Sequence, residues 1–79
     1  MKCRIINITE LDGSTPKVSH KHRMGCEGDL LPLRVGYPMW ITYSDGHGIL
    51  RTSAINEIFE VPTEFTVTTQ STIYVLEKV

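Results

Sequence analysis

Cysteine is scarce in this sequence, and long apolar runs are absent. The 79 residues include two cysteines, too few for the disulfide framework of a small secreted domain. No run approaches the roughly 20 apolar residues of a membrane span, and no basic start leads into the apolar segment of a signal peptide. We therefore expect a cytoplasmic protein without membrane contact. Cys3 and Cys26 are expected as free thiols, with a disulfide between them as the less favoured alternative.

Neither sign of charge is in excess, and the motifs of catalysis are missing. Eight Lys and Arg residues stand against nine Asp and Glu residues, so the net charge is −1 and gives no general attraction to nucleic acid or acidic membranes. The chain has no GxSxG, no HExxH and no phosphate-binding glycine loop. The carboxylates Glu57, Glu60 and Glu64 lie where solvated charge is expected on a strand and a turn. We predict no enzyme, no catalytic residue and no cofactor.

Helical periodicity is also lacking, whereas strand patterns are present. No window places apolar residues at i, i+3, i+4 and i+7 over eleven positions, so we expect no substantial helix. Five runs rich in β-branched and aromatic residues are bounded by turn signals. These runs are "KCRIINITEL" (2–11), "YPMWITYSD" (37–45), "ILRTSAINEIFEV" (49–61), "FTVTT" (65–69) and "IYVLEKV" (73–79). They predict an all-β fold over a single small domain, residues 1–79.

Five strands in so short a chain need to hide their edges, which a small, strongly bent antiparallel barrel does by pairing the first and last strands. The apolar phase of 49–61 changes partway, which predicts a bulge or bend around Ser53–Asn56. Residues 13–36 form a long connection between the first two predicted strands, with "LLPLRVG" covering an open side of the core. The predicted core consists of Ile5, Ile41, Leu50, Ile58, Val67, Val75 and Leu76.

The second half of the chain resembles a known pattern. "ILRTSAINEI", followed after a turn by "FTVTTQSTIYVLEKV", is similar to an LRTS…VTT..S.Y.LE pattern in small uncharacterised β-barrel proteins of Gram-positive bacteria, their phages and mobile elements. The similarity covers residues 35–79. It implies a five-stranded SH3-like barrel with "TTQST" at the corner between the last two strands, and it implies no activity.

A protein-binding or adaptor role is the function that we prefer from the sequence. A barrel too small for an enzyme still presents aromatic patches that can dock a partner, and large amphipathic side chains dominate binding hot spots. Pro38 fixes the backbone at a strand entrance and places its neighbours on a rim. The predicted partner-binding residues are Tyr37, Trp40, Tyr43 and Arg51. The resemblance further suggests a host protein as the partner.

Binding of single-stranded nucleic acid is the first alternative. Small barrels bind single strands by combining a basic groove with aromatic side chains that stack on bases. The cations would come from Lys17, Lys21, Arg23, Arg34 and Arg51, and the stacking rings from Tyr37, Trp40, Tyr43 and Tyr74.

A small zinc-binding domain is the second alternative, raised by "SHKHRMGC" at 19–26. His20, His22, Cys26 and Cys3 would supply a full tetrahedral set. The spacing matches no common zinc finger, and Lys21 and Arg23 would repel a dication. A solvated polar loop is therefore the preferred interpretation of this segment.

Self-association as a twofold dimer is a further prediction, because so small a domain gains stability by burying apolar surface on a copy of itself. The uncharged run "FTVTTQSTIYV" would provide the pairing edge if the barrel were imperfectly closed.

Overall fold

A computed structural model describes residues 1–79 as a closed antiparallel β-barrel. Each strand pairs with its neighbours in chain order, and the last strand returns to the first. The six strands are β1 (Lys2–Thr9), β2 (Glu27–Leu30), β3 (Pro38–Tyr43), β4 (Ile49–Val61), β5 (Glu64–Thr69) and β6 (Ile73–Lys78).

The prediction of an all-β antiparallel barrel is confirmed, but the prediction of five strands is wrong. The additional strand, β2, lies inside the connection that the sequence had left without structure. Its sequence "EGDL" is short and carries two carboxylates, so it has almost no strand signal of its own. Gly28 explains its position, because a Cβ there would lie 2.7 Å from Ile41 Cγ2 and clash with the Thr42 carbonyl. The close approach of β2 to β3 thus requires glycine.

The rest of the long connection is also held in place. A 3₁₀ helix, Val18–Arg23, follows a single β-bridge between Thr9 and Pro16. The Lys17 N–H donates to the Ile8 carbonyl at 3.0 Å, and the Gly25 N–H donates to the Ile5 carbonyl at 2.8 Å. These bonds cover the part of β1 that extends beyond β2. No helix of this structure is long and apolar enough to cross a membrane.

Pairing of the first and last strands is confirmed. β1 and β6 run antiparallel from Cys3 opposite Lys78 to Thr9 opposite Ile73, with one register shift between Ile5 and Asn7. Both β5 and β6 therefore have a strand on each side. The pairing edge proposed for a dimer through "FTVTTQSTIYV" is consequently occupied within the barrel.

The bend in β4 is confirmed as well. Its pairing with β5 shifts register between Ile55 and Glu57, which leaves one extra residue at Asn56. Residues up to Ala54 pair with β3, where the register also shifts between the pairs Trp40–Arg51 and Pro38–Ala54, and residues from Ile55 onward pair with β5. One long strand therefore forms part of two sides of the barrel, as bulged strands do.

The core contains most of the residues predicted for it. Ile5, Ile41, Leu50, Val67 and Leu76 are buried, and Ile58 is only partly buried. The prediction that Val75 lies in the core is wrong, because alternation along β6 directs Tyr74 and Leu76 inward and Val75 outward. Tyr74 is the largest fully buried side chain.

Candidate functional site

Trp40 and Arg51 form an exposed pair on the outer face of the barrel. They lie opposite each other across β3 and β4, and alternation directs both side chains outward. The Arg51 guanidinium carbon lies 5.2 Å from the centroid of the Trp40 ring, which is cation–π geometry. Trp40 remains 36% exposed. The pair thus combines a large apolar ring and a cation at one accessible point.

The next residues along both strands extend this surface. Thr42 lies opposite Ile49, one step along the same face, and Ile49 is 58% exposed. We define the Trp40–Arg51 face as Trp40, Thr42, Ile49 and Arg51. Arg51 has no carboxylate within ion-pair distance in this structure, so its charge is available to a partner.

Tyr37 repeats the pairing of an aromatic ring with an arginine just before β3. The Arg34 guanidinium carbon lies 4.8 Å from the centroid of the Tyr37 ring, and Tyr37 is 54% exposed. The Tyr37 backbone is fixed to the bend of β4, since its carbonyl accepts the Ile55 N–H at 2.8 Å. Arg34, like Arg51, has no ion-pair partner.

Tyr43 does not join these residues. It has the same parity in β3 as the buried residues Met39 and Ile41, and it packs partly buried against the core. Burial raises the pKa of its phenol. Of the four predicted partner-binding residues, the structure brings Trp40 and Arg51 together, leaves Tyr37 exposed at the strand entrance and directs Tyr43 inward.

The basic segment that raised the nucleic-acid alternative is largely occupied by internal contacts. Arg23 Nη1 donates a hydrogen bond of 2.6 Å to the Tyr74 hydroxyl, and His20 stacks on the Tyr74 ring at 6.5 Å. Burial raises the pKa of Tyr74. Lys17 forms an ion pair with Glu10 at 3.0 Å. The predicted stacking ring Tyr74 is thus buried. Of the five predicted cations, three have no side-chain hydrogen bond or ion pair: Lys21, Arg34 and Arg51.

The proposed zinc ligands are not assembled. Cys3 lies inside the barrel, where burial raises the pKa of its thiol to about 11 and disfavours the thiolate that zinc needs. Cys26 is partly exposed, and its thiol donates to the His22 carbonyl at 3.7 Å. Desolvation, with the nearby cations Arg23 and Lys17, lowers the pKa of His20. No three His, Cys, Asp or Glu residues stand together as a metal site, and both cysteines are free thiols.

An apolar cleft beside β4 was missed by sequence reasoning. It has a volume of about 360 Å³ and lies between the segment after β2 and the second half of β4. We define the β4 cleft by its lining residues, which are apolar except for Glu60: Met1, Leu30, Leu31, Pro32, Leu33, Ile58, Glu60 and Phe65. The available signal was the combination of "LLPL" with the phase change in β4, which together predict an incompletely covered core.

The comparisons with known proteins add nothing to this geometry. No protein-family model matches the chain, and no curated protein and no solved structure matches it. The similarity to small phage and mobile-element barrels therefore stays a prediction.

Proposed function

We propose that this protein is a non-catalytic binding module that docks a protein partner through the Trp40–Arg51 face. The observation that carries this proposal is the exposed Trp40 ring beneath an arginine without a carboxylate partner. Trp and Arg are enriched among residues whose truncation costs most in protein interfaces. Three-strand pairing of the underlying wall, β2 to β3 to β4, holds both side chains on a rigid support.

The SH3-like type of barrel belongs to the same proposal. A strongly bent β4 that is shared between two sides, together with pairing of the first and last strands, supports it. The module is proposed to be non-catalytic, and its exposed cations Arg34 and Arg51 are assigned to partner binding rather than to a reaction.

Binding of single-stranded nucleic acid ranks second. The two exposed pairs, Arg51 on Trp40 and Arg34 on Tyr37, are the observation that favours it, because bases stack on such surfaces. Two observations count against a continuous basic groove. Lys17 is paired with Glu10 and Arg23 is bonded to the Tyr74 hydroxyl, and the Tyr74 ring is buried.

Site-specific photocrosslinking tests the proposal. Benzoylphenylalanine replaces Ile49 on the proposed face, and in a matched control it replaces Leu11, which is 52% exposed in the turn after β1, away from both β3 and β4. We expect a protein adduct from position 49 that is absent from position 11 and lost on adding Arg51→Glu. With the purified partner, Trp40→Ala should weaken binding by about 30-fold or more, and Leu11→Ala should not.

Two results would contradict the proposal. One is an adduct of equal yield from both positions. The other is binding of single-stranded DNA or RNA at the Trp40–Arg51 face with a steep dependence on salt, which would exchange the ranking of the two functions.

A further inference from the structure

The second half of β4 has an open edge. Antiparallel ladders direct the backbone groups of alternate residues to opposite sides. The Ile55 N–H donates to the Tyr37 carbonyl, and the Ile55 carbonyl accepts the Gly36 N–H. The Thr69 N–H donates to the Thr72 carbonyl, on the side of β6. These bonds determine which alternate residues of β4 and β5 face each other with their backbone groups. After the bulge, Glu57, Phe59 and Val61 therefore bond to β5. The backbone groups of Ile58 and Glu60 point away from β5 and have no backbone partner in the chain.

The β4 cleft lies at this edge. Ile58 and Glu60 line the cleft on one side, and Leu31, Pro32 and Leu33 line it on the other. The Leu31 N–H donates to the Trp40 carbonyl of β3 at 3.1 Å and Pro32 has no N–H, so neither residue donates a backbone bond to β4. The volume of about 360 Å³ is within the range of ligand sites. The first half of β4 offers no such site, since no cavity of the structure is lined by Ile49 or Arg51.

The charge around this edge determines what can occupy it. Glu57, Glu60 and Glu64 lie on the β4–β5 hairpin, and Lys78, paired with Glu60 at 2.5 Å, is the one cation bonded to them. Glu57 and Glu64 have no ion-pair partner. Antiparallel pairing of this edge with a second copy would bring like carboxylates together, which is unfavourable. The Met1 ammonium also belongs to the cleft lining and donates to the Leu30 carbonyl at 3.3 Å, so the three carboxylates exceed two cations. A peptide with cationic side chains complements this negative excess.

We propose that the Ile58–Glu60 edge of β4 is a strand-addition site for an extended peptide that alternates apolar residues with Lys or Arg. The peptide backbone would bond to the free N–H and carbonyl groups of Ile58 and Glu60. Its apolar side chains would enter the β4 cleft, and its cations would lie on the outer face beside Glu57, whose side chain points outward. This site is separate from the Trp40–Arg51 face, so each proposal can fail without the other.

Backbone hydrogen exchange tests the open edge in the free protein. The Ile58 and Glu60 amides should exchange about tenfold or more faster than the Phe59 and Val61 amides, because only the latter are bonded in the ladder. Equal protection of all four amides in a dilute sample would overturn the proposal. Protection that grows with protein concentration would also overturn it, since a second copy would then occupy the edge.

Titration with the peptide acetyl-Lys-Val-Lys-Val-Lys-Val-Lys-amide, followed by amide NMR, tests the occupant. We expect shifts at Ile58, Glu60 and Leu33, slower exchange at Ile58 and Glu60, and no shift at Ile49 or Arg51. The same peptide with alternate N-methylated residues cannot donate to the edge, and it should bind about tenfold or more weaker. Absence of binding at millimolar peptide, or equal binding of the N-methylated peptide, would overturn the proposal.

A charge exchange distinguishes strand addition from non-specific attraction. Glu57→Lys should weaken binding of the Lys-Val peptide and allow the corresponding Glu-Val peptide to bind the same edge. Glu10→Lys is the matched control, because Glu10 is a carboxylate bonded to Lys17 and absent from the lining of the β4 cleft. An equal effect of both substitutions would contradict a site at β4.

Discussion

The two halves of β4 belong to one continuous strand and yet form different surfaces. The first half, Ile49–Ala54, pairs with β3 and carries the cationic and aromatic Trp40–Arg51 face. The second half, residues 55–61, pairs with β5, borders the apolar β4 cleft and carries carboxylates. The bulge at Asn56 separates them. Two register shifts, one between Arg51 and Ala54 against β3 and one at Asn56 against β5, thus let one strand form two sides of a barrel and separate two surfaces of opposite charge.

The largest expected effect comes from the residue at the junction of the two halves. Ile55 is 1% exposed, and its backbone bonds to Gly36 and Tyr37. Ile55→Ala should lower the free energy of unfolding by about 2–5 kcal/mol through the cavity that it leaves. Denaturation by urea measures this loss. Ile49→Ala, at an exposed position of the first half, is the matched control and should change stability by about 0.5 kcal/mol or less.

Truncation in each half should show that they are packed to different extents. Leu50 in the first half is 3% exposed, whereas Ile58 in the second half is partly buried and borders the cleft. We expect about 3 kcal/mol of destabilisation from Leu50→Ala and about 1–2 kcal/mol from Ile58→Ala. Equal losses in urea denaturation would mean that the cleft is filled in solution and that the two halves do not differ in packing.

Ionic quenching of tryptophan fluorescence should reveal the opposite charge of the two halves. Iodide is the intrinsically stronger quencher of indole, so the ratio of the iodide to the caesium quenching constant is compared with that of free N-acetyltryptophanamide. Trp40 lies under Arg51, so its ratio should exceed the free value. The matched reporter is the double variant Trp40→Phe with Phe59→Trp, which places the ring two residues from Glu57, and its ratio should fall below the free value. Equal ratios for the two reporters would contradict a charge difference between the halves.

The turn before β4 should give the smallest effect. The His47 backbone N–H donates to Asp45 at 2.9 Å and is the main cause that lowers the pKa of this carboxyl below its ordinary 3.8. A lowered folded-state pKa contributes stability that is present above the unfolded pKa and lost as pH falls through the folded pKa. Asp45→Asn should therefore lose slightly less stability than the native chain between pH 5 and pH 2. Thermal melts across that range measure the difference.

Alternation, turn residues and β-branched content predicted much of the barrel. Five strands and the bend in β4 could be predicted because each leaves a local pattern, and the closure of β1 on β6 could be predicted because strand edges in so small a domain need partners. β2 could not be predicted from the sequence, because "EGDL" has a single apolar residue, at its end, and it forms a strand only through its pairing with β1 and β3. Val75 was misassigned because "IYVL" is apolar throughout, so only the register with β5 determines which residues point inward.

The candidate site divides in the same way. Trp40 and Arg51 could be named from residue type, and Pro38 at the entrance of β3 predicted a rim position for Trp40. That the two side chains meet was decided by the register of β3 against β4, which pairs Trp40 with Arg51. The β4 cleft depends on where the segment after β2 passes relative to β4, and no local pattern contains that distance.

The sequence by itself determined that this chain forms strands rather than helices, where β4 bends and which residue types are available for binding. Those properties depend on neighbours within a few positions, through side-chain alternation and the backbone preferences of Gly and Pro. Tertiary structure alone decided that Tyr74 is core, that the cysteines and histidines do not assemble as a metal site and that Ile58 and Glu60 keep an open edge. Each of these depends on the register between distant strands, because shifting one strand by a single residue exchanges its inner and outer side chains.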